Sequence, residues 1–433
     1  MGPSLCYNDA MKILNITAQK PHSTGSGTYL TELVRAFDRM GIEQAVVAGI
    51  YPGDEVAFTE GVTFFPIVFS ASNIPFPIVG MSDIMPYPST RYRDMTDDMI
   101  AEFRAAFIGT EEKPGAVRKA VAELDPDIII CHHLFLLTAM VREAFPERRI
   151  YGICHGTDLR QMINCDNSLN GSGDSLNCIP AYISPEIRRL DRILALHNAQ
   201  AEQIAEVFRD DIRSRTTVIG SGYNAELFNT DNRILCAAGE PVRICYAGKV
   251  STPKGIPELL DAIEQLSCSP FSLTLAGGCL EEHLLSRIHN VSDSIAESDS
   301  ACVAVNYLGQ IPQPELAALF AQSDILVLPS FYEGLPLVLI EAMACGLRPI
   351  CTDLPGVREW IDSNVVHSDI RYISMPEMAE IDRPTDEGRR AFTEELAAAI
   401  KDVVTQAAHA DSRPQQDTSH LSWDALAERI KKL

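Results

Sequence analysis

Short apolar runs alternate with amphipathic helical stretches along almost the whole chain, and they do so in two series. The first series predicts strands at Lys12–Thr17, Ala45–Gly49, Ile128–Cys131, Ile150–Cys154, Ile193–Leu196 and Thr217–Ile219. The second predicts strands at Arg243–Ala247, Ser272–Ala276, Val303–Leu308, Ile325–Leu328 and Arg348–Cys351. A strand buried on both faces reads as a continuous apolar run, and the helix between two such strands must cross back over the sheet. Each series therefore specifies an α/β, doubly wound parallel sheet. At 433 residues the chain exceeds what one core usually serves, so two domains are expected. Residues 1–10 read as a loose tail, 11–237 as the first domain and 238–408 as the second. Residues 409–433 read as a polar linker and a short helix, with Trp423, Leu426 and Ile430 on one face. Tyr51–Lys113 and Asn164–Ile179 break the alternation and are expected to be loops. In such folds ligands bind beyond the C-terminal ends of the strands, here in a cleft that the two domains face.

The balance of 36 basic against 59 acidic residues gives a net charge of −23. That argues against nucleic acid or an anionic membrane surface as the main partner, and membrane association is not indicated. An anionic ligand would need a local cationic pocket. No apolar run approaches the roughly 18 residues that span a bilayer, and residues 1–11 carry no signal pattern. Cys131, Cys154, Cys245 and Cys351 sit in strand-like runs and read as reduced, buried thiols; a cytoplasmic enzyme is expected. Neither paired CxxC, P-loop nor HExxH occurs. Asp125-Pro126-Asp127 precedes a strand instead of following one and reads as a turn. The stretch from Asp166 to Asn177 begins like a calcium loop but has Asn177 where the bidentate Glu is needed. No metal site is expected.

The stretch Pro329–Gly346 holds two glutamates, Glu333 and Glu341, around a Gly334-Leu335-Pro336-Leu337 turn. It follows a predicted strand, Pro336 suits the first turn of a helix, and Gly346 suits its end. Backbone amides of Gly334, Leu335 and Leu337 at a helix N-terminus favour a phosphate, and the carboxylates can accept from sugar hydroxyls. This pattern points to a nucleotide-sugar site. Gly248-Lys249 through Lys254-Gly255 places two lysines on a glycine-bounded turn, where they can gather at one anion; two solvated surface lysines are the plain alternative. Gly25 and Gly27 lead from the first strand towards its helix, with Leu30 where a dinucleotide fingerprint needs a third glycine. His155-Gly156-Thr157-Asp158 ends a strand: His155 can donate to a sugar hydroxyl, and Asp158 can accept or cap a helix. His132 and His133 close another strand, and one of them reads as structural.

Together these motifs resemble the GT-B fold glycosyltransferases of family 4, across most of residues 11–433 and most strongly over 243–360. The resemblance is carried by Glu333–Glu341, Gly248–Gly255, the turn Val218–Tyr223 and Leu421-Ser422-Trp423. Lys249 stands where arginine is usual, and Gly220-Ser221 replaces Pro-Asn in the turn. The resemblance implies two Rossmann-like domains and a C-terminal helix crossing back to the first. It implies transfer from a nucleotide-diphosphate sugar, with a UDP-sugar expected, to a small-molecule, glycan or lipid acceptor. Anomeric configuration would be retained, with neither metal nor cofactor required. Lys249 and Lys254 would neutralise the leaving diphosphate, and Glu341 would accept the ribose hydroxyls. Glu333 and the amides of Gly334 and Leu335 would hold the sugar, which His155 also contacts. Gly25 and Gly27 would touch the phosphate, and Gln310 and Ile311 would read the base. Ser82, Asp83, Tyr87 and Arg91, in the first long segment, are expected to meet the acceptor, with Asp158 beside them; a segment that merely covers an apolar edge is the alternative. A nucleotide-sugar epimerase or hydrolase, or a non-catalytic nucleotide-sugar-binding subunit, are the other readings of the same residues.

Overall fold

A computed structural model of the chain describes residues 11–81, 85–167, 179–234, 240–266, 271–297, 303–380, 383–408 and 416–433. The expected tail 1–10, Ser82, Asp83, the boundary at 238 and most of the 164–179 segment lie outside the described residues. The chain divides into two compact units, Met1–Gly220 with Trp423–Leu433, and Ser221–Ser422.

The first unit begins with β1 (Lys12–Ile16), α1 (Gly25–Arg39), β2 (Glu43–Ile50) and β3 (Val62–Val68). A short pair, β4 (Val79–Gly80) and β5 (Thr90–Arg91), precedes α2 (Asp97–Phe107) and α3 (Ala116–Leu124). Then come β6 (Ile128–His132), α4 (Leu136–Ala144), β7 (Ile150–Ile153), α5 (Thr157–Asn167) and α6 (Ile179–Ile187). The unit continues with β8 (Arg192–Ala195), α7 (Asn198–Phe208) and β9 (Thr216–Val218). Seven strands form one sheet in the order β3-β2-β1-β6-β7-β8-β9, every pairing parallel. The order reverses between β1 and β6, whose Ile13, Leu14, Ile16 and Ile128–Cys131 are buried. Crossover helices cover such a sheet on both faces, which is why its central strands are mostly apolar.

Among the described residues, β3, β4, β5 and α2 all lie inside Tyr51–Lys113, the stretch expected to be a loop. β3 forms the sheet edge and contains Pro66, which an edge strand tolerates because one side of its backbone is unpaired. α2 starts at the N-cap Thr96, whose hydroxyl accepts from Met99 N, and buries Phe103 and Phe107. The Asp125–Asp127 turn is as read. Asp125 caps α3 in the left-handed conformation and pairs with Arg148 at 2.7 Å, while Asp127 Oδ2 accepts from Lys12 N at 2.8 Å.

The second unit opens with β10 (Val242–Ala247), α8 (Ile256–Gln265), β11 (Phe271–Ala276) and α9 (Glu282–Glu297). It continues with β12 (Val303–Gly309), α10 (Gln313–Gln322), β13 (Ile325–Leu328) and α11 (Leu337–Ala344). β14 (Arg348–Thr352), α12 (Val357–Asn364) and β15 (Arg371–Ile373) follow, then the hairpin β16 (Met378–Glu380) and β17 (Arg383–Pro384), and α13 (Asp386–Ala408). Its parallel six-stranded sheet has the order β12-β11-β10-β13-β14-β15, reversing between β10 and β13.

The chain passes between units at Gly220–Ser221, upstream of the expected 237/238. Tyr223 belongs with the second unit because its amide donates to Leu421 O at 3.1 Å and it bridges Ser422. The last helix, α14 (Trp423–Lys431), belongs to the first unit. Trp423 packs edge-on against Tyr29 of α1 at 4.9 Å, Arg39 Nε donates to Asp424 at 2.9 Å, and Arg429 donates to Ile219 O at 3.0 Å. Cys131, Cys154, Cys245 and Cys351 are free and buried, as their strand positions imply.

Candidate functional site

In the second unit the strand-order reversal sets the loop after β10 beside the loop after β13. These are the two stretches that carry the lysines and Glu333. Gly248 leaves β10 at φ +144°, and Gly277 leaves β11 at φ +149°, both outside what L side chains readily adopt. A Cβ on Gly277 would lie 1.7 Å from Gly248 O, so the two backbones touch and only glycine fits. Gly248 N donates to Ala276 O at 3.0 Å, and Gly277 N donates to Gly309 O at 2.7 Å, stitching the ends of three strands together. Tyr246 Oη donates to Lys249 O at 2.6 Å, and Lys249 is half-buried.

Residues Thr252–Lys254 form a single 3₁₀ turn. Glu281 anchors it, accepting from Thr252 N at 3.0 Å and Thr252 Oγ1 at 2.6 Å. Gly255 then takes φ +69°, where a Cβ would meet Pro329 O at 2.1 Å. The turn is thereby pressed against the end of β13, and Phe331 N donates to Pro253 O at 3.2 Å. Lys254 Nζ reaches Glu333 Oε1 at 2.7 Å and donates to Tyr332 O at 3.1 Å. Both side chains keep partial exposure, 24% and 18%, so the pair is oriented yet reachable by a ligand. The Glu333 charge adds to burial in holding the Tyr246 phenol well above its usual range.

Pro336 caps α11, Leu335 is buried, and Leu337 opens the helix. Glu341 lies inside that helix with 4% exposure, and Gly346 ends it at φ +74°. Burial, and then Glu341, push the Cys345 thiol up to about 12. At the end of β12, Gln310 is exposed and Ile311 half-buried, and a Cβ on Gly278 would lie 3.8 Å from Gln310 Oε1.

In the first unit the reversal between β1 and β6 gathers a different set. Thr24 caps α1, its hydroxyl accepting from Gly27 N at 3.1 Å. A Cβ on Gly27 would crowd Lys20 O at 2.8 Å, whereas Gly25 faces open space. The glycine at 27 thus serves the packing of its own loop. His132, His133 and His155 cluster with Tyr29. His132 Nδ1 lies 3.1 Å from His155 Nε2, with the two rings stacked, and Tyr29 stands edge-on to His155 at 5.2 Å. Burial lowers all three imidazoles below their ordinary value, His132 to about 3.

Asp158 is not placed to meet an acceptor. It is fully buried, and its Oδ2 accepts from Leu134 N at 2.8 Å and from His155 N at 3.4 Å, so it ties the ends of β6 and β7 together. Arg91 is exposed and ion-paired with Asp94 on the next turn. Tyr87 packs on the core, its oxygen 3.5 Å from Lys20 N. Sequence reasoning missed Tyr29, Gly277 and Glu281. Only Gly277-Gly278 carried a signal, two glycines straight after an apolar strand.

Residues 229–377 match the family model described as Glycosyl transferases group 1, the stretch that contains both lysines and both glutamates. The chain is 25% identical over 248 residues to glycogen synthase of Mycobacterium tuberculosis (strain CDC 1551 / Oshkosh), covering 56% of this chain and 53% of that protein. It spans between 25% and 53% of the length of the first curated relatives it matches. Among solved structures it is similar to sucrose-phosphate synthase from Thermosynechococcus elongatus, with TM-score 0.67, 18% identity and 98% of both chains covered. It is also similar to Anabaena Alr3699/HepE in complex with UDP-glucose, with TM-score 0.57, 15% identity and 98% of both chains covered. The two-unit parallel α/β architecture is that of the GT-B glycosyltransferases.

Proposed function

We propose that the chain is a retaining glycosyltransferase of family 4 that moves a hexosyl group from a nucleotide-diphosphate sugar to a small-molecule, glycan or lipid hydroxyl. The observation that carries this reading is the meeting of Lys254 and Glu333 at the strand-order reversal of the second unit, inside the stretch matched by the family model. Lys249 and Lys254 stabilise the charge that develops on the leaving diphosphate. Glu333, with the amides of Gly334 and Leu335, holds the sugar, and Glu341 takes the ribose. Gly25, Gly27 and Gly248 approach the phosphates, Gln310 and Ile311 the base, and His155 a sugar hydroxyl. Catalysis proceeds on one face of the sugar, and the diphosphate oxygen takes the acceptor's proton. A UDP-sugar is the proposed donor, in keeping with UDP-glucose in Anabaena Alr3699/HepE. No helix among the described residues is long and apolar enough to cross a membrane, and a cytoplasmic setting is part of the proposal.

The test is a thermal-shift screen of nucleotide sugars in EDTA, then mass spectrometry with an acceptor library. One nucleotide sugar should raise the melting temperature in proportion to the logarithm of its concentration and yield a glycosylated product. Stabilisation without any product would favour a binding subunit, and donor turnover without an acceptor would favour a hydrolase or epimerase.

The two glutamates should separate. Glu341→Ala is expected to weaken binding of the free nucleotide diphosphate about tenfold or more, the loss of a charge-assisted hydrogen bond. Glu333→Ala is expected to leave that affinity within about threefold and to lower transfer. Calorimetric titration with UDP reads the first and product formation the second; equal losses of UDP affinity in both variants would overturn the assignment.

A further inference from the structure

The histidine cluster contains one more assignment. His155 is the half-buried member, and its Nε2 is turned inward to His132 Nδ1, 3.1 Å away. Its Nδ1 is therefore the nitrogen left to face a ligand. One proton lies between the two rings, and either ring can supply it. The surroundings of His132 decide which. His132 is 3% exposed, and its Nε2 is buried with no hydrogen-bond partner among the described residues. If His155 were the donor, neutral His132 would carry its own proton on Nε2, as a buried and orphaned N–H. If His132 is the donor, Nε2 is a bare lone pair. Orphaned buried N–H groups are rarer than under-used acceptors, so the second arrangement is favoured. Burial keeps both rings neutral, so neither site carries an extra proton. The stacking of the rings and the edge-on Tyr29 hold the geometry.

We infer that His132 is a positioning residue: its Nδ1–H donates to His155 Nε2 and thereby fixes the His155 proton on Nδ1, where it points to a ligand as a neutral donor. His155 then gives a hydrogen bond to a hydroxyl oxygen and cannot act as a base. The meaning of this for sugar binding rests on the proposed transferase reading; the tautomer itself does not.

The experiment is long-range ¹H–¹⁵N correlation spectroscopy on the full chain labelled with ¹⁵N-histidine, with the His155 signals assigned by their loss in His155→Asn. The parent protein should show His155 protonated on Nδ1 and His132 protonated on Nδ1. In His132→Phe, which keeps a ring of similar size without a donor, the His155 signals should shift to the Nε2–H form or to an average of the two. His132→Asn, whose amide can donate from near the lost Nδ1, should restore the Nδ1–H form. A parent protein with the His155 proton on Nε2 overturns the inference, and this measurement needs no known donor and no variant beyond the His155→Asn used for assignment. Once a donor is in hand, His132→Phe should lower transfer about tenfold or more, and His132→Asn should recover most of it. Equal losses in both, with the parent tautomer retained, would leave His132 with a packing role only.

Discussion

On the proposed reading, Lys254→Ala is expected to slow transfer from the nucleotide sugar about 100-fold or more, the effect of removing about 2.7 kcal/mol of transition-state stabilisation. The structure gives this change two consequences. On the proposed reading it removes a cation from the leaving diphosphate, and it strips the partially buried Glu333 of its partner at 2.7 Å. A carboxylate left alone in a partly desolvated loop drifts towards solvent, and the sugar loses an oriented acceptor. The loss should therefore fall on turnover more than on apparent affinity. Lys249→Ala should also slow transfer. Steady-state kinetics with the donor from the thermal-shift screen makes the comparison. If both single variants turn over like the parent, the lysines lie outside the reacting centre.

Gly277→Ala is expected to cost at least about 3 kcal/mol, combining a strained backbone with a forced shift of the neighbouring loop. For a unit of this size that is roughly 6–12 °C in melting temperature. The added methyl would sit 1.7 Å from Gly248 O, an atom of the backbone with no freedom to swing aside. The loop after β10 must then move and take Lys249 with it, so donor binding falls along with stability. Gly25→Ala makes the same chemical change where nothing lies within 4 Å, and its melting temperature should match or exceed the parent's. A Gly277→Ala protein melting within a degree or so of the parent would show that the two loops can part without cost.

These particulars explain what could be seen in the sequence. Continuous apolar runs such as Ile128–Cys131 and Ile325–Leu328 are the strands buried at the centre of each sheet, and they were legible because burial on both faces leaves no room for polar residues. β3 was not legible: its Pro66 argues against a strand, and only its place at the sheet edge makes the residue harmless. α2 was hidden by the prolines and aromatics before it, although Thr96 with Asp97 and Asp98 is an N-terminal signature. The lysines and Glu333 were legible because chemistry and turn residues occur together in two short stretches. Their contact was not, since it depends on β10 and β13 being neighbours in space while α8 to α10 lie between them in sequence. Asp158 misled for a related reason. A carboxylate after His-Gly-Thr looks available until the loop closes and two backbone amides occupy it.

The ion pair between Lys254 and Glu333 also bears on how a ligand arrives. Lys254 enters the encounter already paired, and the chain around it carries a net charge of −23. On the proposed reading, an approaching nucleotide diphosphate would therefore travel against the far field of the molecule and be rewarded only at contact, where the amides and lysines would act over hydrogen-bond distances. The reach of that field is set by ionic strength, about 10 Å at 0.1 M and 30 Å at 0.01 M. Added salt shortens the repulsion more than it weakens the short contacts, so capture quickens as the solution becomes more saline, the reverse of electrostatic steering.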